Sequence, residues 1–404
     1  VADALARTWR FIGGRATNTF GRAIINTAVL WDLWELTHDK WVLASVGVMQ
    51  VLPVLLLFSR AGWLADQLDR RKLASTAGFA MGMVGVGLAI ASALQAPVAV
   101  YLALLFVQGC VVAVHAPATS SLLPNIAPRD VLPKANRMQA SLSELALIVG
   151  PTLAGLALLV FEPWCVFAIT GVTGTVSAFL YFSVGHVPPP PRTADDRKDW
   201  RIGLRFIFRS RLLLPALTLD MFAVLFAGVT ALLPVVADEI LHVGSFGYGI
   251  LRASMPIGAV TMAVIGGRIP AWKRPGRVLL IVVALYGVIT IGIGVSTWLP
   301  LTALCLVLSG ALDNISVVIR LTLEQNVVHD AIRGRVAAVH NVFIGMSNEL
   351  GAAESGAAAA LLGTAPAIIV GGAVAIVVVG AVSVLWPELA RMPPLAELQP
   401  PDNV

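Results

Sequence analysis

Ionisable side chains interrupt otherwise apolar stretches of this 404-residue chain: Arg15, Arg22 and Asp32; His115; Glu144; Asp220; Arg252; Asp313 and Arg320; and His340, Glu349 and Glu354. Their types suit binding and releasing charge rather than breaking bonds. A charge in a low-dielectric interior costs roughly 3 kcal/mol on insertion scales, so such residues turn toward a polar centre or pair with one another. Arg15, Asn18, Arg22 and Asn26 are spaced by three, four and four residues, which puts them in one stripe along a helix. Asp313, Arg320 and Glu324 likewise share a helix face. Arginines at such positions attract anionic groups. Desolvation disfavours an ionised carboxylate and a neighbouring arginine favours it, so a buried carboxylate can exchange a proton when its partner changes. Asp313 and Asp220 are the first candidates for that role, with Glu144 and Glu349 next. Arg15 and Glu324 lie near helix ends and can also snorkel. His115 and His340 are isolated in the sequence and read as core histidines.

The elements that must hold these residues are membrane-spanning helices. Hydrophobic residues make up 57% of the chain and charged ones only 13%, against about 25% in soluble domains, and mean hydropathy is +0.84. Twelve stretches are long and apolar enough, near 9–36, 42–65, 73–95, 97–123, 134–161, 164–186, 212–238, 246–269, 277–297, 299–323, 335–361 and 364–386. The third, sixth, ninth and twelfth carry no charge in their cores. That is expected if every third helix faces lipid around a polar centre. With the N-terminus inside, Lys40 is the one basic residue in the outer loops, and the remaining loop arginines and lysines fall inside; both termini are therefore expected in the cytoplasm. The N-terminal segment has no cleavable-signal pattern, so the first span is expected to direct insertion. The net charge of +5 belongs to these inner loops and does not point to nucleic acid.

Residues 1–186 and 212–390 form two candidate six-helix halves, joined by a linker at 187–211 and followed by a tail at 391–404. In the linker, Arg201, Arg205 and Arg209 fall on one helical face and Trp200, Leu204, Ile207 and Phe208 on another. It reads either as an amphipathic helix on the inner membrane surface or as a solvated basic connector. The halves repeat weakly at an offset of 205: Gly62 falls on Gly267, Lys72 on Arg277, and Ser143–Leu145 on Asn348–Leu350. Cys110, Cys165 and Cys305 lie in apolar segments without disulfide or metal spacing. No metal-binding His pair, phosphate loop or Ser/His/Asp grouping is present, so neither an enzyme nor a cofactor is expected.

Between the second and third spans runs GWLADQLDRRKL, Gly62 to Leu73. It resembles the signature loop of the major facilitator superfamily at Gly62, Leu64, Ala65, Asp66, Arg70 and Arg71, and departs from it at Gln67 and Asp69. In the fifth span, GPTLAG places Gly150, Pro151 and Gly155 as in that family's exporter-associated motif, with Ala154 replacing a glycine. The AVLWDLWELT run, LLPNIAPRDVLPKAN and RGRVAAVHNVFIGMSNELGAAESG are similar to the enterobactin exporter branch, which also includes macrolide and multidrug efflux proteins.

The resemblance implies an all-α polytopic fold of about twelve helices in two pseudo-symmetric bundles. It also implies a monomeric proton antiporter of the inner membrane that exports a small molecule by alternating access. Asp66 would then latch the inner gate, with Arg335 at the start of the eleventh helix as its partner. Arg15, Asn18, Arg22 and Asn26 would form a cationic cavity wall facing Asp220, Arg252, Asp313 and Arg320, a site suited to an anionic or zwitterionic, partly apolar solute such as a siderophore. Macrolide or multidrug efflux and movement of lipid or lysophospholipid are the alternatives.

Overall fold

Every regular element in the computed structural model is helical among the described residues, which are 2–120, 122–128, 131–185, 200–268 and 272–398. Within these, the side chains of 58–67 and of positions 2, 3, 124, 133, 200, 201, 330, 331, 334, 338 and 341 lie outside the description. Twelve long segments run in chain order: α1 (Ala2–Thr37), α2 (Lys40–Gln67), α3 (Arg70–Ala93), α4 (Val98–Ser120), α5 (Leu132–Ala157) and α6 (Pro163–Phe182). Then come α7 (Leu213–Ala227 and its continuation to Ile240), α8 (Gly244–Gly266), α9 (Pro275–Val295), α10 (Leu299–Val327), α11 (Asp330–Leu362) and α12 (Thr364–Leu385). Ten of these segments contain a stretch long and apolar enough to cross a membrane. The other two, α1 and α11, have the length but are broken by the polar residues named above.

The chain divides into two compact units: Val1–Arg192 with Gly244–Ala253, and Thr193–Val243 with Ser254–Val404. Inside the first, α3 packs on α6, α1 on α5 and α6, and α2 on α4. Inside the second, α9 packs on α12, and α7 on α11 and α12. The same pairings therefore recur in corresponding helices. Glycines carry the crossings of the helices with uncharged cores. A Cβ on Gly82 would meet the Gly171 carbonyl oxygen of α6 at 3.0 Å, and one on Gly287 would meet the Gly372 carbonyl oxygen of α12 at 2.7 Å. Gly82 and Gly287 are 205 positions apart, the repeat offset of the sequence. Without a hydrophobic driving force between helices in lipid, close backbone approach is what such crossings gain from small residues. Outward from these seams project Phe79, Phe179, Ile281 and Val377, all exposed, as apolar surface destined for lipid would be.

Two elements differ from the reading of the sequence. The seventh span is not one regular helix: it stops at Gly228, passes through a 3-10 turn at Val229–Leu232, and ends in a π segment at Val236–Ile240. Ser355 of α11 donates its hydroxyl to the freed Gly228 carbonyl at 3.3 Å, which meets part of the requirement that backbone groups within a membrane be satisfied. In the linker, Trp200–Arg209 is helical, but its apolar face meets protein. Ile207 is buried with Leu213, Val336 and Val339, and Gly203 lies against the Arg335 backbone. Phe208 and Arg209 remain exposed. The residues 186–199, with the proline run, and the end of the tail from 399 lie outside the described residues.

Asp69 accounts for one departure from the family loop: its carboxylate accepts the Arg71 and Lys72 backbone N–H groups at 2.9 and 3.4 Å and caps α3. Arg71 then donates to the Phe182 carbonyl at 3.3 Å and lies over the Phe182 ring at 4.7 Å, tying the start of α3 to the end of α6.

Because the α9–α12 crossing leaves no room for a side chain, Gly287→Leu is expected to destabilise the protein by roughly 1–3 kcal/mol or more. Thermal unfolding in detergent, followed by size-exclusion fluorescence, measures this. An unchanged transition would mean that the crossing tolerates side-chain bulk.

Candidate functional site

In the first unit the polar stripe of α1 gathers partners from α2, α4 and α6. The Asn26 side-chain oxygen accepts from Gln50 Nε2 at 3.2 Å and from Gln108 Nε2 at 3.1 Å. Asn18 is buried, and its Nδ2 has no hydrogen-bond partner among the described residues. Arg15, Arg22 and His115 lie within electrostatic reach of one another, and Arg15 also reaches Tyr181. His115 Nε2 and the fully buried Tyr181 hydroxyl are 3.1 Å apart. Two guanidinium groups beside an imidazole, with side-chain amides one to two turns further along α1, make an electropositive interior. Such a lining favours a carboxylate, phenolate or other anionic group. His115 therefore neighbours the two arginines of α1 rather than standing isolated. No local pattern marks this, because α1 and α4 meet only in three dimensions.

At the far end of α1 the stripe changes character. Asp32 accepts the Tyr101 hydroxyl at 2.9 Å, and Trp31 stacks on Tyr248 with ring centroids 5.1 Å apart. Tyr248 donates to the Thr27 carbonyl at 2.6 Å, and Arg252 Nε donates to the Thr27 hydroxyl at 3.0 Å. Arg252, expected beside Asp220 and Asp313, thus bonds to α1 through the part of α8 that belongs to the first unit. The helix 5 glycines work in the same unit. A Cβ on Gly150 would meet Ala23 at 2.7 Å, and one on Gly155 would meet the Gly249 carbonyl oxygen at 2.9 Å. α5 continues through Pro151 as regular helix.

In the second unit, Asp220 of α7 forms a buried ion pair with Arg320 of α10. Arg320 Nε also donates to the Ser316 carbonyl at 3.3 Å. Asp220 and Asp313 line a cavity of about 110 Å³ together with Tyr286, Ser316, Asn348 and the Gly228 break. One turn beyond Arg320, Glu324 pairs with His340 of α11, both buried. This corrects the reading of His340 as an isolated core histidine, and it places Glu324 in the interior rather than at a snorkelling end. The i, i+4 spacing of Arg320 and Glu324 was visible in the sequence, but their partners on α7 and α11 were not. Glu144 is exposed on α5, and Glu349 is partly buried on α11. Among the described residues, Glu354 accepts from the neighbouring Ser355 hydroxyl at 3.5 Å.

Of the loop motif, Gly62 and Asp66 lie where side chains are outside the described residues, so the expected Asp66–Arg335 pair does too. Arg70 is half-buried at the start of α3. Among the described residues no group of three or more His, Cys, Asp or Glu side chains could hold a metal ion.

A sequence profile described as the Major Facilitator Superfamily matches residues 11–352. The enterobactin exporter EntS of Citrobacter koseri is 26% identical over 348 residues, covering 84% of this chain and 82% of that protein. An Escherichia coli EntS is 25% identical over 346 residues with the same coverage. Among solved structures, a POT family transporter in complex with a thioalcohol-conjugated peptide superposes with a TM-score of 0.72 at 13% identity, covering 95% of this chain and 96% of that one. The D-xylose–proton symporter gives a TM-score of 0.70 at 14% identity, with 96% and 98% covered. The twelve-helix architecture, the repeated helix pairings and the profile match over most of its length lead to one conclusion: the chain is a membrane transporter of the Major Facilitator Superfamily.

Proposed function

We propose that this transporter is a proton-coupled antiporter that exports a siderophore, or a similar anionic or zwitterionic amphipathic molecule, by alternating access. The observation that carries the substrate class is the electropositive interior of the first unit, where Arg15, Arg22 and His115 converge beside Asn18 and the Asn26–Gln50–Gln108 amides. A lipophilic cation would be repelled there, whereas catecholate or carboxylate groups gain charge-assisted hydrogen bonds. The EntS relatives, named for enterobactin, support a siderophore and outward movement. Proton coupling rests on the carboxylates carried within the spans, Asp313 and Asp220 first and Glu144 or Glu349 next. The concentration of basic residues in alternate loops supports an inner-membrane orientation with both termini cytoplasmic. Asp66 and Arg335, with Gly62, Arg70 and Arg71 shaping the turn, form the inner-gate latch in this reading.

Two measurements test it. Purified protein should bind enterobactin in preference to tetraphenylphosphonium, and Arg22→Ala should weaken enterobactin binding by about tenfold or more, some 1.4 kcal/mol. A preference for the cation, undiminished in Arg22→Ala, would remove the substrate class. For the gate, Asp66→Asn should lose most enterobactin efflux while the variant still folds and inserts normally, as judged by size-exclusion profile and membrane yield. Normal efflux by that variant would count against the latch.

A further inference from the structure

Four ionisable side chains form a chain across α7, α10 and α11: Asp220, Arg320, Glu324 and His340. All are buried, and the two pairs are linked by one helical turn of α10. Their charges decide what the chain can do. With His340 neutral, two carboxylates face one guanidinium, leaving the buried group with a net charge of −1. One added proton makes it neutral. A low-dielectric interior strongly favours the neutral count, so the group is built to hold a single exchangeable proton.

The geometry locates that proton. His340 Nδ1 faces Glu324 Oε2, while His340 Nε2 is buried without a hydrogen-bond partner among the described residues. Gaining a proton from water at Nε2 gives imidazolium paired with carboxylate. Losing it returns a neutral ring that still donates through Nδ1–H. At the other end, Asp220 lines the cavity it shares with Asp313.

Resting on the reading of proton coupling above, we propose that Glu324 and His340 form a one-proton site, and that its occupancy decides which carboxylate holds Arg320. When His340 is protonated, Glu324 is neutralised by the imidazolium and Arg320 stays on Asp220, the arrangement the structure contains. When the proton leaves, Glu324 regains its full attraction for the guanidinium four residues away, and Asp220 is released toward the cavity. The proton is thereby read out at the cavity wall without moving through it.

Other ionisable groups also lie on the packed elements. Asp313 and Tyr286 lie on the cavity side. Arg201, Arg205 and Arg209 belong to the linker helix, Arg277 to the start of α9, and Asp330, Arg333 and Arg335 to the first turns of α11, which His329 precedes. Glu388, Arg391 and Glu397 follow α12, which itself carries none, and Glu349 and Glu354 are more than two turns beyond His340.

The test needs no transported solute, so its outcome is separate from that of the siderophore reading. The full chain, labelled with ¹⁵N-arginine, is placed in lipid nanodiscs, and side-chain resonances are recorded between about pH 5 and 8, the range in which histidine switches can be followed. Arg320 is identified by the signal missing from Arg320→Lys, or from Arg320→Gln if that variant does not fold. Its resonance should change with pH in the wild type and stay fixed in His340→Gln, His340→Asn and Glu324→Gln. An Arg320 signal that ignores pH in the wild type overturns the proposal without any variant. So does one that still responds once His340 or Glu324 is replaced.

Discussion

The ion pair between Asp220 and Arg320 shows the constraint on which the rest of this structure depends: a charge carried inside a bilayer-length helix must be answered by another part of the protein. The charge-bearing helices are accordingly the ones that turn polar faces toward each other within a unit. The helices α3, α6, α9 and α12, whose cores carry no charge, need no such answer. They close on glycine seams and present phenylalanine, isoleucine and valine outward. One requirement thus sorts the helices of both halves into two kinds, and the same sorting recurs at the 205-residue repeat.

The two units solve the requirement differently. In the first, the guanidinium groups of α1 gather beside His115 of α4, supplemented by side-chain amides whose hydrogen-bonding capacity is partly unspent at Asn18 and Gln108 among the described residues. In the second, acids and bases alternate across α7, α10 and α11. The first arrangement is suited to attracting an anion. The second, balanced to within one proton, is suited to registering protonation. The proposed exchange of a solute for protons needs both properties, and in that proposal each half of the repeat supplies one.

How much of this the sequence displays depends on the range of the interaction. Helix number, the clean third helices and the α1 stripe are properties of single segments, written in hydropathy and in three- and four-residue spacing, and all were legible. The seventh helix was not read as broken, because Gly228 in an apolar run is as compatible with tight packing as with a break. The linker helix showed its two faces, but whether lipid, water or α11 covers Ile207 is decided by tertiary contact. The pairs His340 with Glu324, His115 with Tyr181 and Arg252 with Thr27 join segments 16, 66 and 225 residues apart, and nothing local marks them. The family loop was recognisable, and its odd residue Asp69 turned out to have a local reason as a helix cap.

The central claim is that a proton gradient drives an anionic siderophore outward through this chain. Its most direct test is accumulation in proteoliposomes with an acidic lumen and a neutral medium, where the protein molecules with cytoplasmic face outward see the gradient they would meet in a cell. Enterobactin should concentrate in the lumen above its level in the medium, and a protonophore should abolish the concentration while leaving equilibration intact. Equilibration alone, unaffected by the imposed gradient or its collapse, would contradict proton-driven export.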